Sequence, residues 1–369
     1  MKTETYTSSR QWFNKIINTT QPEGGWRVLF SFLYLVSLLY FFIVKSRTVL
    51  YSCKILKTYT LPKRVISVGN ITVGGTGKTP TVLALARFFN ENGKKVAILS
   101  RGYGRTNEGA ILIVSDGNQI FSSPSSAGEE AYFLAKELKG VIVAVGKNRY
   151  KTGLNLLTKY KIDLFILDDG YQHLKLHRDT NILLLDSDHP FSNGSLLPRG
   201  GLREPLSSIK RASMIFLTSK NGNHNKAAAI LKEELFAGIP KYNVHFAPKC
   251  FFNALTAETC PIKKLSGNTS LIFSGIANPR SFRAMVDTCH IQVVRELVFP
   301  DHHRYQPHDI DAIYDIARSR KVDFIITTDK DAVKLTPYLR KEVPLIILKL
   351  EFKTEADFPW ETLKSEKGS

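Results

Sequence analysis

The chain has 369 residues, of which 43% are hydrophobic and 23% charged, a composition that excludes wholesale disorder and suits about two folded domains. Lysine and arginine number 51 against 33 acidic residues, so the formal net charge is +18 at pH 7. Such a surplus indicates an acidic partner, which is a nucleic acid, a phosphorylated substrate or an anionic membrane. The four cysteines form no CxxC pair, and their spacing suits neither a zinc site nor a dense disulfide framework.

The positive charge is concentrated around an apolar segment near the amino terminus. Residues 1–64 carry a net charge of +8, and the 17 residues Val28–Val44 within them include no charged side chain. A membrane-spanning helix needs about 20 apolar residues, with a lower limit of about 17. A buried core helix is the alternative, but the flanking cations favour an anchor in an anionic membrane with the body on the cytoplasmic side. Because a nucleic-acid binder spreads its charge over a folded face, no nucleic-acid partner is expected. The sequence leaves open whether the segment crosses the bilayer or lies along it.

The next element is a short predicted strand, Val65–Val68, which leads into a glycine-rich loop and a predicted helix over Thr79–Asn90. The loop reads GNITVGGTGKTP from Gly69 to Pro80, and the strict phosphate-loop pattern fails by one residue, because Thr72 replaces its first glycine. The glycines still allow backbone N–H groups to approach phosphate oxygens at the start of a helix. The predicted nucleotide-binding residues are Thr72, Gly74, Gly75, Thr76, Gly77, Lys78 and Thr79, with the Thr79 hydroxyl as a ligand of Mg²⁺.

Apolar β-rich runs alternate with helices along the rest of the chain, which predicts a mostly parallel sheet with helices on both faces. The first predicted series comprises strands Lys95–Leu99, Ile111–Val114, Val141–Val145, Ile162–Leu167 and Asn181–Leu185, and a helix over Glu129–Lys139. The second comprises Met214–Thr218, Tyr242–Phe246, Ser270–Ser274, Ile291–Phe299, Val322–Thr327 and Pro344–Leu350. The polar stretch Asn221–Asn225 is predicted to be a loop. The predicted fold is a two-domain α/β/α protein of the P-loop NTPase type, with a membrane-associated helix (1–60), a phosphate-loop domain (61–211) and a second α/β domain (212–369).

Two carboxylates follow one of the predicted strands. Asp168 and Asp169 end the apolar run Ile162–Leu167. The carboxyl ends of parallel strands form the edge at which α/β proteins bind their ligands, so these side chains are predicted to meet the phosphate crevice. Carboxylates hold Mg²⁺ either directly or through water. The sequence therefore predicts a nucleoside triphosphate and Mg²⁺ at this site.

Further motifs make the chain resemble one enzyme family, the tetraacyldisaccharide 4'-kinases, over most of its length. The motifs that carry the resemblance are the loop from Gly69 to Pro80, SRGYG at 100–104, DDGYQH at 168–173, LPRGGLREP at 197–205, DHH at 301–303 and TDKDAVK at 328–334. The resemblance implies transfer of the γ-phosphate of ATP to the 4'-hydroxyl of a tetraacyl glucosamine disaccharide 1-phosphate, which yields lipid IVA in lipid A biosynthesis. It implies two α/β domains with the active site between them.

The resemblance also implies roles for individual residues. Lys78 and Arg203 would stabilise the transferred phosphoryl group, and Glu204 would join Thr79, Asp168 and Asp169 at the metal. Tyr103 and Arg149 match positions that the family uses for its substrate.

The catalytic base departs from the family pattern, in which an aspartate follows a glycine. Here Gly128 is followed by Glu129 in the aspartate position and then by Glu130. The carboxylate of Glu129 is therefore one methylene longer, and Glu130 is an alternative base. The histidine that pairs with the base would be His302, with His303 as its alternative.

Two other classes of protein share part of these features. A membrane-associated P-loop ATPase switch of the MinD or ParA kind also has a GGxGKT loop, but its signature lysine precedes the two glycines, where this chain has Val73. That class usually anchors by an amphipathic carboxyl-terminal helix, and residues 351–369 show no such pattern. A non-enzymatic module that binds acidic lipid or nucleic acid would not need both the GKT and the DDG motifs.

Overall fold

The structure is a computed structural model and describes residues 16–17, 19, 24, 26–219, 234–335, 338–356 and 358–364. The predicted loop at Asn221–Asn225 lies outside these residues. The described residues from 246 to 353 form one compact unit, and those before 246 and after 353 form a larger one. This division differs from the predicted boundary at residue 212, because strand Met214–Ser219 pairs in parallel with Thr180–Asp186 of the larger unit.

The larger unit is built around a mostly parallel sheet. Its strands are β1 (Arg64–Asn70), β2 (Val96–Ser100), β3 (Leu112–Ser115), β4 (Ile142–Val145), β5 (Leu164–Asp168), β6 (Thr180–Asp186), β7 (Met214–Ser219) and the first half of β8 (Lys241–Asn253). They lie in the order β8-β7-β6-β1-β5-β2-β4-β3, and β3 alone among these pairs is antiparallel to its neighbour. Every predicted strand of this region is present, with ends that shift by a few residues. The predicted α/β fold is confirmed.

Strand β1 lies at the centre of this sheet because its side chains are apolar on both faces. Val65, Ile66 and Val68 are each at most 1% exposed, and β1 pairs with β5 on one side and β6 on the other. Continuous apolar runs of this kind are typical of parallel strands covered by helices on both faces. The helices are Lys78–Glu91, Pro124–Ala127, Glu129–Glu137, Arg149–Leu157 and Trp360–Lys364, with 3₁₀ turns at Leu206–Arg211 and Glu234–Phe236.

The smaller unit is also an α/β structure, and it has its own hydrophobic core. Its parallel strands β10 (Thr269–Ser274), β11 (Gln292–Val298), β12 (Phe324–Thr328) and β13 (Leu345–Thr354) lie in the order β11-β10-β12-β13, and β9 (Thr259–Cys260) pairs with the end of β8. Helices Ile262–Leu265, Pro279–Asp287, Pro307–Ser319 and Asp329–Ala332 connect them. The predicted strands again agree with the structure within a few residues, apart from β8, which is much longer than predicted.

The apolar segment near the amino terminus forms one helix, Trp26–Ser52, of 27 residues with a mean hydropathy of 2.2 over its most apolar stretch. It is longer than the predicted run Val28–Val44 because the helix continues through Lys45 and Arg47. By length and composition this helix, here called the apolar helix, is sufficient to cross a membrane. One side of it packs against the larger unit, and Val28, Phe32, Leu35, Leu39 and Ile43 on the other side are each at least 60% exposed.

Candidate active site

The phosphate loop follows the carboxyl end of β1, where the backbone turns sharply before a helix. Gly74 and Gly77 have φ values of 114° and 81°, which residues with a side chain rarely adopt. The helix Lys78–Glu91 begins immediately after Gly77, so its free N–H groups face the loop. Thr72, Thr76 and Thr79 are buried in the turn, and the Thr76 hydroxyl has no hydrogen-bond partner among the described residues. The arrangement is that of an anion-binding turn.

Two cations converge on the residue that ends β1. The Lys78 ammonium lies 3.2 Å from Oδ1 of Asn70, and the Arg203 guanidinium lies 3.3 Å from the same oxygen. Both cations also face Asp169, Arg203 at 3.0 Å and Lys78 at 3.8 Å. Burial acts to raise the pKa of Asp169, but Lys78 and Arg203 outweigh it and hold this pKa below its usual value. The fold thus brings together Lys78 and Arg203, which are 125 residues apart in the sequence.

The chain path that brings Arg203 to this place runs alongside the phosphate loop. The Val73 N–H donates to the Gly201 carbonyl at 2.8 Å, and the Arg203 N–H donates to the Ile71 carbonyl at 2.7 Å. A Cβ on Gly201 would lie only 2.5 Å from the Ser192 hydroxyl, so glycine is needed where the chain passes Ser192. The two loops therefore form a single hydrogen-bonded layer.

The carboxylate of Asp168 is buried beside this cluster, with little hydrogen bonding to offset its loss of hydration. It is 2% exposed, and Oδ2 accepts one hydrogen bond, from the Ser100 hydroxyl at 3.0 Å. Burial, with the nearby carboxylates of Glu130 and Asp169, raises the pKa of Asp168 to about 7. A buried acid with unused oxygen lone pairs beside a phosphate loop suits a cation. Thr79 begins the adjacent helix, so Thr79, Asp168 and Asp169 fit a magnesium ion.

These groups do not form a complete metal cage. Among the described residues, no three His, Cys, Asp or Glu side chains are grouped to hold a metal ion. Magnesium in nucleotide sites usually takes its remaining ligands from phosphates and water, so a partial set is what such a site needs. Glu204, predicted as a further ligand, is buried and pairs with Arg211.

Glu129 and Glu130 open the helix Glu129–Glu137 after Gly128, whose φ is 88°. The charge of Glu130 helps to raise the pKa of Asp168, so the two carboxylates lie close enough to interact. Arg149, the first residue of helix Arg149–Leu157, is 6% exposed, and burial lowers its pKa to about 10 while Asp168 and Asp169 oppose that shift. Tyr103, by contrast, is 76% exposed between two glycines of positive φ.

The two candidate histidines lie in the smaller unit and differ in their surroundings. Nε2 of His303 donates a 2.9 Å hydrogen bond to the Asp309 carboxylate, and the ring stacks on Phe299 with 4.9 Å between the ring centres. His302 has a φ of 60°, and its side chain is 42% exposed with Asp301 at 3.8 Å. His303 is therefore engaged in packing its own unit, whereas the ring of His302 is much more accessible.

Comparison with known proteins identifies the architecture. A sequence profile described as tetraacyldisaccharide-1-P 4'-kinase matches residues 29–366. The chain belongs to this family. The tetraacyldisaccharide 4'-kinase of Syntrophus aciditrophicus is 38% identical over 89% of this chain and 91% of its own, and that of Geobacter sulfurreducens is 38% identical over 92% and 94%. The crystal structure of LpxK from Aquifex aeolicus in complex with ATP superposes with a TM-score of 0.75, at 37% identity over 91% of this chain and 97% of that one.

Two residues of this kinase site were missed by sequence reasoning. Asn70 is fully buried and its side-chain oxygen contacts both Lys78 and Arg203, and Ser100 donates to Asp168. Both are polar residues at the carboxyl end of a buried strand, which is the signal that could have found them. His173 of the DDGYQH motif lies near enough to Arg149 to feel its charge. Burial and this charge lower the pKa of His173 to about 3, so its ring is neutral at pH 7.

Proposed function

We propose that this member of the tetraacyldisaccharide 4'-kinase family transfers the γ-phosphoryl group of ATP to the 4'-hydroxyl of a tetraacyl disaccharide 1-phosphate, giving lipid IVA. The observation that carries the proposal is the convergence of Lys78 and Arg203 on Asn70 and Asp169 beside the phosphate loop. The family membership and the ATP complex of the Aquifex relative support it.

The site offers charge where phosphoryl transfer needs it. The migrating group carries negative charge on its equatorial oxygens, and preorganised cations stabilise that charge. Lys78 and Arg203 are held in place by Asp169 and Asn70, so little reorganisation is needed when phosphate oxygens arrive. Thr79, Asp168 and Asp169 would hold Mg²⁺ together with the nucleotide, and the ion would supply further charge neutralisation.

For the acceptor, we assign proton removal to Glu129. A sugar hydroxyl is a weak nucleophile, and a positioned carboxylate can take its proton as the phosphoryl group moves. The negative charge of Glu130 helps to raise the pKa of Asp168. This interaction supports a place for Glu130 near the metal and leaves Glu129 for the sugar. The Glu129→Gln variant should lose more kcat than Glu130→Gln, and the reverse order would move the base to Glu130. His302 as the partner of the base, and Tyr103 and Arg149 as substrate-binding residues, stay predictions, as does Glu204 near the metal.

The apolar helix is proposed to lie along the cytoplasmic surface of the inner membrane rather than across it. Contacts with the larger unit extend from Phe30 to Arg47, about 26 Å along the axis at about 1.5 Å per residue. A folded body cannot follow that length of helix through hydrocarbon, whereas the exposed apolar side can enter the interface. Residues 1–27 should be digested by protease added to sealed inverted vesicles, and their protection would indicate a spanning helix.

A direct assay tests the activity. Purified protein, radiolabelled ATP and the tetraacyl disaccharide 1-phosphate in mixed micelles should yield labelled lipid. Lys78→Ala should lower kcat by about 10³-fold, and Arg203→Ala by at least about 10³-fold, since each removes charge from the transition state. Lys63→Ala is the matched control, because Lys63 is an exposed lysine just before the other end of β1. Near-normal transfer by Lys78→Ala would contradict the role assigned to Lys78. ATP hydrolysis that ignores the lipid and responds to a protein partner would favour an ATPase switch.

A further inference from the structure

The apolar helix is hydrogen-bonded to the loop that carries Arg203. The Tyr40 hydroxyl donates to the Arg203 carbonyl at 2.9 Å. One turn earlier, the Ser37 hydroxyl accepts from the Arg199 N–H at 3.1 Å, and its proton is shared between the Leu196 carbonyl and the Leu33 carbonyl of its own helix, each at 2.9 Å. Ser37 is only 4% exposed within an otherwise largely exposed helix.

Additional contacts hold the larger unit against the same side of the helix. The Arg199 guanidinium lies 4.4 Å from the centre of the Phe30 ring, and farther along, the Arg47 side chain donates to the Gln172 carbonyl at 2.9 Å. Residues 30, 37, 40 and 47 share one side of an α-helix, opposite the exposed apolar side. A simple membrane anchor needs only the exposed side, so these polar contacts require a different explanation.

The backbone of Arg203 is consequently held at both of its polar groups. Its N–H donates to Ile71 of the phosphate loop, and its carbonyl accepts from Tyr40 of the apolar helix. The side chain between them reaches Asp169 and Asn70. Only one of these restraints comes from an element that also faces the membrane.

We propose that Tyr40 is a positioning residue for phosphoryl transfer. By holding the Arg203 carbonyl, its hydroxyl sets where the guanidinium stands relative to the phosphate loop. Ser37 fixes the preceding part of the same loop. The apolar helix thereby contributes to the geometry of the active site as well as to attachment. This inference rests on the proposed kinase function, because its effect is a change in the rate of that reaction.

The test compares two tyrosines of the same helix. Tyr40→Phe removes the hydroxyl and keeps the ring, and Tyr34→Phe makes the identical change at a tyrosine whose residue is 53% exposed. With ATP and tetraacyl disaccharide 1-phosphate both saturating in mixed micelles, Tyr40→Phe should lower kcat by about five-fold, the factor that corresponds to about 1 kcal/mol, typical of one hydrogen bond. Its KM for the lipid and its sedimentation with anionic phospholipid vesicles should equal those of the wild type. Tyr34→Phe should match the wild type in all three measurements.

A second comparison asks whether Tyr40 acts through Arg203. In an Arg203→Lys background, which has already lost the forked geometry, Tyr40→Phe should lower kcat by two-fold or less. A full five-fold loss in that background, an unchanged kcat for Tyr40→Phe alone, or a loss of vesicle sedimentation that accounts for the lower rate would each overturn the inference. If the wild-type protein transfers no label to the lipid, the kinase function itself fails, which is a separate result.

Discussion

Two buried aspartates, one in each unit, lie at or just beyond the carboxyl end of a parallel strand and have different surroundings. Asp168 ends β5 of the larger unit, and Asp331 lies just after β12 of the smaller unit. Asp331 is fully buried and accepts hydrogen bonds from the Gly275 N–H at 3.0 Å, the Thr328 hydroxyl at 2.7 Å and the Tyr305 hydroxyl at 3.0 Å. Asp168 accepts one, from Ser100.

The electrostatic settings of the two carboxylates also differ. Burial raises the pKa of both, but at Asp331 three hydrogen bonds and Lys334 oppose the rise. At Asp168 the carboxylates of Glu130 and Asp169 add to it. A carboxylate whose oxygens are occupied by protein donors ties its loops together, whereas one left with free lone pairs among other acids is suited to a cation. A buried aspartate near the carboxyl end of a parallel strand thus ties its own loops together in the smaller unit, and in the larger unit it is proposed to hold the metal ion.

The largest expected effect is the loss of activity on substitution of Asp168. Asp168→Asn should lower kcat by about 10²-fold or more, because the magnesium ligand loses its charge, while thermal stability without metal at pH 8 is unchanged or increased. Added Mg²⁺ with a nonhydrolysable ATP analogue should raise the Tm of the wild type more than that of the variant. The control is Asp163→Asn just before the opposite end of β5, where the side chain accepts from the Lys95 N–H. A variant with normal transfer would remove Asp168 from the metal site.

Asp331→Asn should act on stability instead. The amide retains only one accepting oxygen for three buried donors, so at least one donor loses its partner, at a cost of about 2 kcal/mol in the free energy of unfolding. Chemical denaturation of the wild type and the variant measures this difference. A variant as stable as the wild type would contradict the structural role.

The pH dependence of stability sharpens the comparison further. Because the folded-state pKa of Asp168 is raised to about 7, the folded protein holds a proton that the unfolded chain has lost between about pH 4 and pH 7. The contribution of Asp168 to stability without metal is therefore most favourable at low pH and is lost as the pH rises through 7, by up to about 1.4 kcal/mol per pH unit. Denaturation curves at several pH values should show a smaller fall for Asp168→Asn than for the wild type. An identical slope in both proteins would mean that Asp168 does not hold this proton.

The smallest effect is expected at the single donor to Asp168. Ser100→Ala removes one hydrogen bond and leaves both carboxylate oxygens available to a cation, so kcat should fall only about two- to five-fold. Higher Mg²⁺ concentration should restore part of that loss. A drop as large as that of Asp168→Asn would place Ser100 itself among the essential groups.

Much of this protein could be predicted from local sequence. Val65, Ile66 and Val68 identify a strand buried on both faces, and Gly74 and Gly77 before Lys78 identify the turn that follows it. Local sequence was less informative about β8, which is longer than predicted, and about helix Arg149–Leu157, which was not predicted. The domain boundary also differed, because the pairing of β7 with β6 is a contact between segments that sequence does not link.

The sequence by itself determined the parallel α/β fold, the phosphate loop and the kinase family, because these depend on residue types at short, fixed spacings. Only the tertiary structure decided that Asn70 faces both Lys78 and Arg203, that Glu204 pairs with Arg211, and that Tyr40 holds the Arg203 carbonyl. The contacts of Arg203 with Asn70 and Tyr40 join residues that are 133 and 163 positions apart in the sequence. The shorter-range contacts, Asn70–Lys78 and Glu204–Arg211, form across loops. All of these distances depend on how strands and loops pack rather than on any local pattern. The physical reason is that a hydrogen bond requires an approach of about 3 Å, which a sequence fixes only through the whole fold.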